Sequence, residues 1–469
     1  MSILFILIPL CGIFILNLLK RRTAAKLAVW LVGLISVCLA VMAVTSQMAF
    51  WQPLNEAIAL PITSLLDIDW LSTVLLFTIA MVTTAANAVG FDGDERKIVL
   101  ARSLLLACMI GMNGVVMARD LLSVYVFLEV TSVSCFILIA VDKKIEAIGG
   151  AFKYFILSGV ATFSLLLANA LVFMDVGSLR FADVQAALMS GSIDLKIALA
   201  LFVVALCVKA GVAPFHGWLP DAHASAPNAV SVLLSGVVIK VAGAYLIIRL
   251  MDEVFVNQAV ARNALMALGA FSITLGAFGA IAQKDMKRVL AFSSVSQMGY
   301  IVLAAGLGTQ MALMGAVVHI VNHAMFKSLL FVNAAAVKEQ TGTTELAELG
   351  GLTERMPITG WTSVIGLLSA AGLPPTSGFW SKLLIILGLC LADQWIYAGI
   401  ALSMSVVTLG YLLMLQRNVF FGKLLAGLEE LQEARKGLTI TALTLATMTT
   451  VVGLAFPILF YILHSLGYA

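Results

Sequence analysis

Seven titratable side chains stand in stretches of this chain that are otherwise apolar. They are Glu129 in "LLSVYVFLEVTSVSCFILIAV", Lys209 in "LCVKAGVAPFHGW", Lys240 in "SVLLSGVVIKVAGAYLIIRL", His319, His323 and Lys327 in "AVVHIVNHAMFKSLLF", and Lys382 in "GLPPTSGFWSK". Together they form one carboxylate, four amines and two imidazoles, groups that can take up and give back a proton. Lysine, unlike arginine, can be brought to surrender its proton. Ionisable groups are expensive inside a bilayer, so several in one chain call for a function. The bland readings differ by residue. Lys327, near a helix end and flanked by Phe, could be an interface-bound side chain. The histidine pair could be a helix–helix hydrogen-bond device, and a single lysine could fix helix register.

Glu129 is the only carboxylate well inside an apolar run, and Lys209, at comparable depth, is its natural partner. At an effective dielectric of about 20, such a pair about 4 Å apart attracts by roughly 4 kcal/mol, and about half of that at twice the distance. Drawing the charges apart therefore favours proton release from the amine by roughly thirtyfold. Lys240 lies too deep for its stem to reach an interface. His319, His323 and Lys327 follow one another at intervals of four and share one helix face.

The elements that must hold these groups are membrane helices. The chain of 469 residues is 61% apolar and only 11% charged, outside the range of soluble domains. With roughly 20 apolar residues needed per span, we expect an all-α polytopic protein of about fourteen spans. They fall near 1–19, 26–50, 68–90, 99–118, 120–141, 150–175, 194–220, 228–251, 260–281, 288–306, 312–336, 357–390, 396–421 and 438–465. Of the 28 basic residues, nineteen fall in one alternating set of loops and five in the other; the remaining four are the intramembrane lysines. The rule that basic loops stay cytoplasmic then places both termini on the non-cytoplasmic side. The first apolar run has its basic residues after it and no cleavage site, which reads as a retained helix. The six cysteines are scattered without a C-x-x-C pair, giving no sign of a metal site or disulfide framework. No nucleotide, flavin or haem signature is present, and nothing suggests a nucleic-acid partner.

"AGVAPFHGW" at 210–218 and "AGLPPTSGF" at 371–379 share A-G-x-x-P and an aromatic at the same offset, each inside an unusually long span. Gly211, Pro214, Pro374 and Pro375 are the expected helix breaks. Matching breaks in two halves point to discontinuous transport helices; two packing kinks are the alternative. The lysine beside each break, Lys209 and Lys382, favours the first.

"VKAGVAPFHGWLPDAHASAPNAVSVLLSGVVIKVAGAYLIIR" (208–249), "QKDMKRVLAFSSVSQMGY" (283–300), "HIVNHAMFKSLLF" (319–331) and "GLPPTSGFWSK" (372–382) resemble the antiporter-like subunits shared by respiratory complex I, Mrp-type cation/proton antiporters and energy-converting membrane-bound hydrogenases. "PFHGWLPDAH" followed by "LLSGVVIK" is most similar to the hydrogenase-type members. The resemblance implies one transmembrane domain over 1–469 with two inverted five-helix repeats, 98–251 (helices 4–8) and 260–421 (helices 9–13), and with helices 7 and 12 broken. It matches Glu129 and Lys209 to the family's paired carboxylate and amine, Lys240 to its central lysine, His319 and His323 to its histidines, and Lys382 to its terminal site. It implies a proton-translocating subunit of a redox-driven complex in a prokaryotic-type inner membrane. This chain would hold no cofactor; iron–sulfur clusters, a Ni–Fe centre, flavin or quinone would sit in partner subunits, membrane and peripheral. Sodium/proton exchange of Mrp type and a non-transporting structural arm are the competing expectations.

Overall fold

The computed structural model describes residues 2–19, 21–46, 65–191 and 194–465. Among them it is almost entirely helical, and every apolar run of the sequence is a span or part of one. The spans are α1 (Leu4–Leu19), α2 (Arg22–Ser46), α3 (Trp70–Val89), α4 (Glu95–Met117), α5 (Leu121–Ile139) and α6 (Ile145–Val176). There follow α7 (Lys196–Ser225), α8 (Asn228–Glu253), α9 (Ala259–Ile281), α10 (Met286–Leu307) and α11 (Gln310–Thr341). Next come α12, in two halves (Pro357–Ala371 and Ser377–Leu391), α13 (Trp395–Phe421) and α14 (Lys436–Ser465). Twelve of these are individually long and apolar enough to cross a membrane; α1 and the two halves of α12 are shorter apolar helices. The sequence expectation for 47–50 at the end of the second span, and Lys20 of its flanking loop, lie outside the described residues.

The chain divides into two compact units, one of Met1–Lys209, Ser225–Val230 and Val237–Asn257, the other of Ala210–Ala224, Ser231–Gly236 and Gln258–Ala469. In the first, aspartates set where helices begin. Asp69, Asp94 and Asp120 accept hydrogen bonds from the backbone N–H of Ser72 (2.7 Å), Lys97 (2.9 Å) and Ser123 (2.7 Å), satisfying donors that a helix start leaves bare. Asp69 carries a second load. Its carboxylate also holds Arg249 of α8 through two contacts, at 2.6 and 3.0 Å, and Arg119 at 3.2 Å. Burial pushes the Asp69 carboxyl up, but the Arg249 hydrogen bond and charge, the Ser72 N–H and the Arg119 charge outweigh it and hold it at about 2.

In the second unit, Asp285 caps α10 in the same way through Arg288 N, at 2.9 Å. Here α9 and α10 pack backbone to backbone through small residues, the usual means of joining helices where lipid removes the hydrophobic drive. A methyl group on Gly269 would lie 2.5 Å from Leu303 N, and one on Gly299 2.6 Å from Gly269 O.

Several basic residues placed in loops by the sequence reading belong to the helices. Arg102 is buried in α4, donating to Asn87 Oδ1 at 3.0 Å and Arg22 O at 2.9 Å. Arg249 is buried in α8 and Lys287 in the first turn of α10, while Lys153 sits on the exposed face of α6. A hydropathy window cannot tell a charge beyond a helix end from one tucked under it.

Two consequences are measurable. Gly299→Ala lowers unfolding stability by about 1–3 kcal/mol through overpacking, whereas Gly159→Ala on α6, which meets nothing within 4 Å, leaves the thermal midpoint unchanged or slightly higher. Because the folded-state value of Asp69 lies below its ordinary 3.8, its contribution is present above that pH and is lost as pH falls toward 2. An acid titration of Asp69→Asn therefore shows a shallower loss of stability over that interval than the wild type.

Candidate functional site

In the first unit the two groups that sequence depth suggested as partners do meet. Lys209, in the last turn of the first half of α7 (Lys196–Ala210), forms an ion pair with Glu129 Oε1 of α5 at 3.2 Å. Its ammonium also donates to Ser132 Oγ and Ser158 Oγ, both at 2.7 Å, and reaches Thr162 Oγ1 at 3.4 Å. The Thr162 hydroxyl donates to the same Glu129 oxygen. The lysine side chain is 1% exposed and the glutamate 30%, so the amine is fixed in the interior and the carboxylate is the accessible partner. Three hydroxyls would go on solvating the amine if the carboxylate moved. That is the condition under which a buried pair can open without a prohibitive desolvation cost.

Lys240 is fully buried on α8. The helix is wound as a π-helix over Leu234–Val238 and again over Lys240–Tyr245, a departure that concentrates at functional sites. One turn on, the Tyr245 hydroxyl donates to Val116 O at 2.7 Å and accepts from Arg249 Nε at 2.9 Å. Arg249 in turn bonds Asp69 and Glu253.

In the second unit the four-residue spacing on α11 is realised as a row. The His319 and His323 rings lie 5.9 Å apart and 6° from parallel. His319 Nε2 meets Gln297 Oε1 at 3.1 Å and its Nδ1 meets Ser381 Oγ at 2.9 Å. Lys327 donates to Leu290 O at 2.8 Å and to Ser293 Oγ. Lys382, next to Ser381, donates to Ala370 O (2.8 Å), Ala371 O (3.2 Å) and Ser405 Oγ (3.1 Å), with the Tyr300 ring 4.9 Å beneath it. All four groups are buried. The two ammonium groups rest on carbonyls, hydroxyls and a ring face, so neither proton is tied to a single counter-charge.

The breaks fall where the sequence placed them. Gly211 (φ 66) and Gly372 (φ 82) take the left-handed conformation at the ends of the first halves of α7 and α12, and the peptide bonds before Pro214 and Pro375 are both cis. The lysines beside the breaks are not equivalent, however. Lys209 is on the first half of α7, whereas Lys382 is on the second half of α12 and reaches back. In the register shared by the two breaks, Asp221 stands where Lys382 does, and it pairs with Arg288 at 2.7 Å.

Other side chains belong to these clusters and escaped the sequence reading. The His223 ring is buried and stacks on Phe331, 4.8 Å away and 20° from parallel. Phe331 continues the α11 row one step beyond Lys327, so extending the four-residue spacing would have led to it. Gln297, Ser293 and Tyr300 lie in "SSVSQMGY", whose polar residues face inward. Cys108 and Cys135, distant in sequence, bring their sulfurs to 3.4 Å on α4 and α5 as free thiols.

Two broken helices, α7 and α12, each carrying a buried amine, beside the continuous α11 with its buried imidazoles, define a polytopic helical membrane protein. Residues 118–408 match the model of the NADH:quinone oxidoreductase/Mrp antiporter transmembrane family, and the chain belongs to that family. It is 29% identical to a Na(+)/H(+) antiporter subunit of Alkalihalophilus pseudofirmus, over 97% of this chain and 93% of that protein. It is 32% identical to a NADH-quinone oxidoreductase subunit of Rhodobacter capsulatus, over 76% and 72%. Among solved structures, it matches a chain of the archaeal membrane-bound sulfane sulfur reductase with a TM-score of 0.84 at 27% identity, over 96% of this chain and 75% of that one. It also shares the fold of a chain of the Mrp complex from Dietzia sp. DQ12-45-1b, with a TM-score of 0.88 at 24% identity, over 98% and 95%.

The ion pair makes a test of its own. Lys209→Met removes the cation from Glu129 and lowers stability by about 2–4 kcal/mol, while the double variant with Glu129→Gln costs clearly less than the two single changes summed. Thermal unfolding of the purified chain in lipid reads both.

Proposed function

We propose that this chain is a proton-translocating subunit of a multisubunit, redox-driven membrane complex. Family membership and the similarity to subunits of the Mrp antiporters, quinone oxidoreductases and the sulfane sulfur reductase support that reading. The observation that carries it is the set of amines and imidazoles buried within spans and held by hydroxyls and carbonyls. Such groups can exchange protons with one another and with water without stranding a bare charge.

On this reading Lys240 in one unit, and His319, His323, Lys327 and Lys382 in the other, take up and release protons. The Glu129–Lys209 pair controls the process by opening and closing. Energy arrives from partner subunits, which carry the redox centres: iron–sulfur clusters, with a Ni–Fe centre, flavin or quinone according to the complex. The setting is a prokaryotic cell membrane, with both termini on the non-cytoplasmic side. Sodium/proton exchange is the second reading, favoured by the match to an antiporter subunit over almost the whole chain.

Lys240→Ala and Lys382→Ala each reduce substrate-driven acidification of inverted vesicles by about tenfold or more while the complex still assembles. Full proton pumping by both variants would end the proton reading. Pumping that disappears when sodium is withdrawn would decide for exchange.

A further inference from the structure

The break in α12 leaves carbonyl groups whose partners can be followed one by one. A helix ends with four carbonyls that lack an intrahelical donor. Here they belong to Leu368, Ser369, Ala370 and Ala371. Gly372 N donates to Leu368 O and Ser369 O, each at 3.1 Å, and Leu373 N donates to Leu368 O at 3.0 Å. The remaining two, Ala370 O and Ala371 O, face the Lys382 ammonium, and the Ser405 hydroxyl donates to Ala371 O at 3.0 Å. Because that hydroxyl gives its proton to Ala371, its oxygen is left to accept from Lys382, at 3.1 Å.

The fourth wall is the Tyr300 ring, fixed by its own hydroxyl to Ala401 O at 2.7 Å and presenting its electron-rich face to the cation. Gly372 closes the site from the side, since a methyl group there would lie 2.8 Å from Lys382 Cδ. The end of the half-helix also carries the negative pole of the helix dipole. All of these groups lie in the second unit, and the lysine is 3% exposed.

We infer that the α12 break is a binding site for a monovalent cation of ammonium size, formed by Ala370 O, Ala371 O, Ser405 Oγ and the Tyr300 face, and that Lys382 fills it with a tethered ammonium. Without the amine, the site takes ammonium or potassium from solution. The contact lengths, 2.8 to 3.2 Å, suit such an ion. Hard divalent cations need oxygens drawn in to about 2.0–2.6 Å and usually carboxylates as well, and none of the four walls is a carboxylate. Sodium and lithium, being smaller, fit less well. The tethered ammonium therefore determines specificity: while it is in place, dissolved cations are excluded. This assignment goes beyond proton translocation and is read without measuring it.

The test uses the full chain purified in lipid nanodiscs in choline chloride, with ammonium or potassium chloride exchanged in at constant ionic strength. Lys382→Ala leaves room for an ion; Lys382→Met fills the same space with an unbranched apolar chain. The thermal midpoint of Lys382→Ala is expected to rise by about 3 °C between roughly 1 and 100 mM ammonium or potassium, and less with sodium or lithium. The wild type and Lys382→Met are expected not to respond. Adding Ser405→Ala to Lys382→Ala is expected to raise the half-saturating concentration about fivefold. If Lys382→Ala folds only when ammonium or potassium is present during purification, the same conclusion holds. The inference is overturned if Lys382→Ala responds no more than wild type, if Lys382→Met responds equally, or if Lys382→Ala fails to fold in every salt.

Discussion

An ammonium group taken out of water and into a bilayer must find oxygen atoms already in position, and much of this structure follows from that requirement. Lys209 finds two serines and a carboxylate, Lys327 a carbonyl and a serine, and Lys382 two carbonyls and a serine. Most carbonyls of an intact helix are bonded four residues on, and Lys327 shares one of them, Leu290 O of α10. The break in α12 supplies two carbonyls for Lys382. Hydroxyl side chains, which can rotate from their own helix backbone to a neighbouring cation, provide the remaining neutral acceptors.

The two units meet this requirement in different ways. In the first, a carboxylate faces the amine, and Coulomb attraction between the two makes the pair responsive to any change in their separation. In the second, hydroxyls, carbonyls and a ring face surround the amines, and His319, stacked on His323, stands between Ser381 Oγ and Gln297 Oε1.

Close packing of small residues underlies both arrangements. The backbone contact between α9 and α10 at Gly269 and Gly299 fixes α10 closely enough that Gln297 and Tyr300 point to His319 and Lys382. The polar caps act at the ends of the helices. Asp69, which both starts α3 and holds Arg249 of α8, ties the helix carrying Lys240 to its neighbours.

The sequence by itself determined the membrane class, the apolar runs that become spans and the two breaks. These follow from local composition: apolar runs have a required length, and glycine and proline interrupt a helix whatever surrounds them. It also suggested Glu129 and Lys209 as partners, each being the natural counter-charge for the other, while the contact itself came with the fold. Only the tertiary structure decided the rest. It set Lys382 on the far half of its break and reaching back, buried Arg102 and Lys287, stacked His223 on Phe331 and brought Cys108 to Cys135. Those outcomes depend on which faces of distant helices meet, and a polar residue in an apolar run carries no mark of the neighbour that will satisfy it.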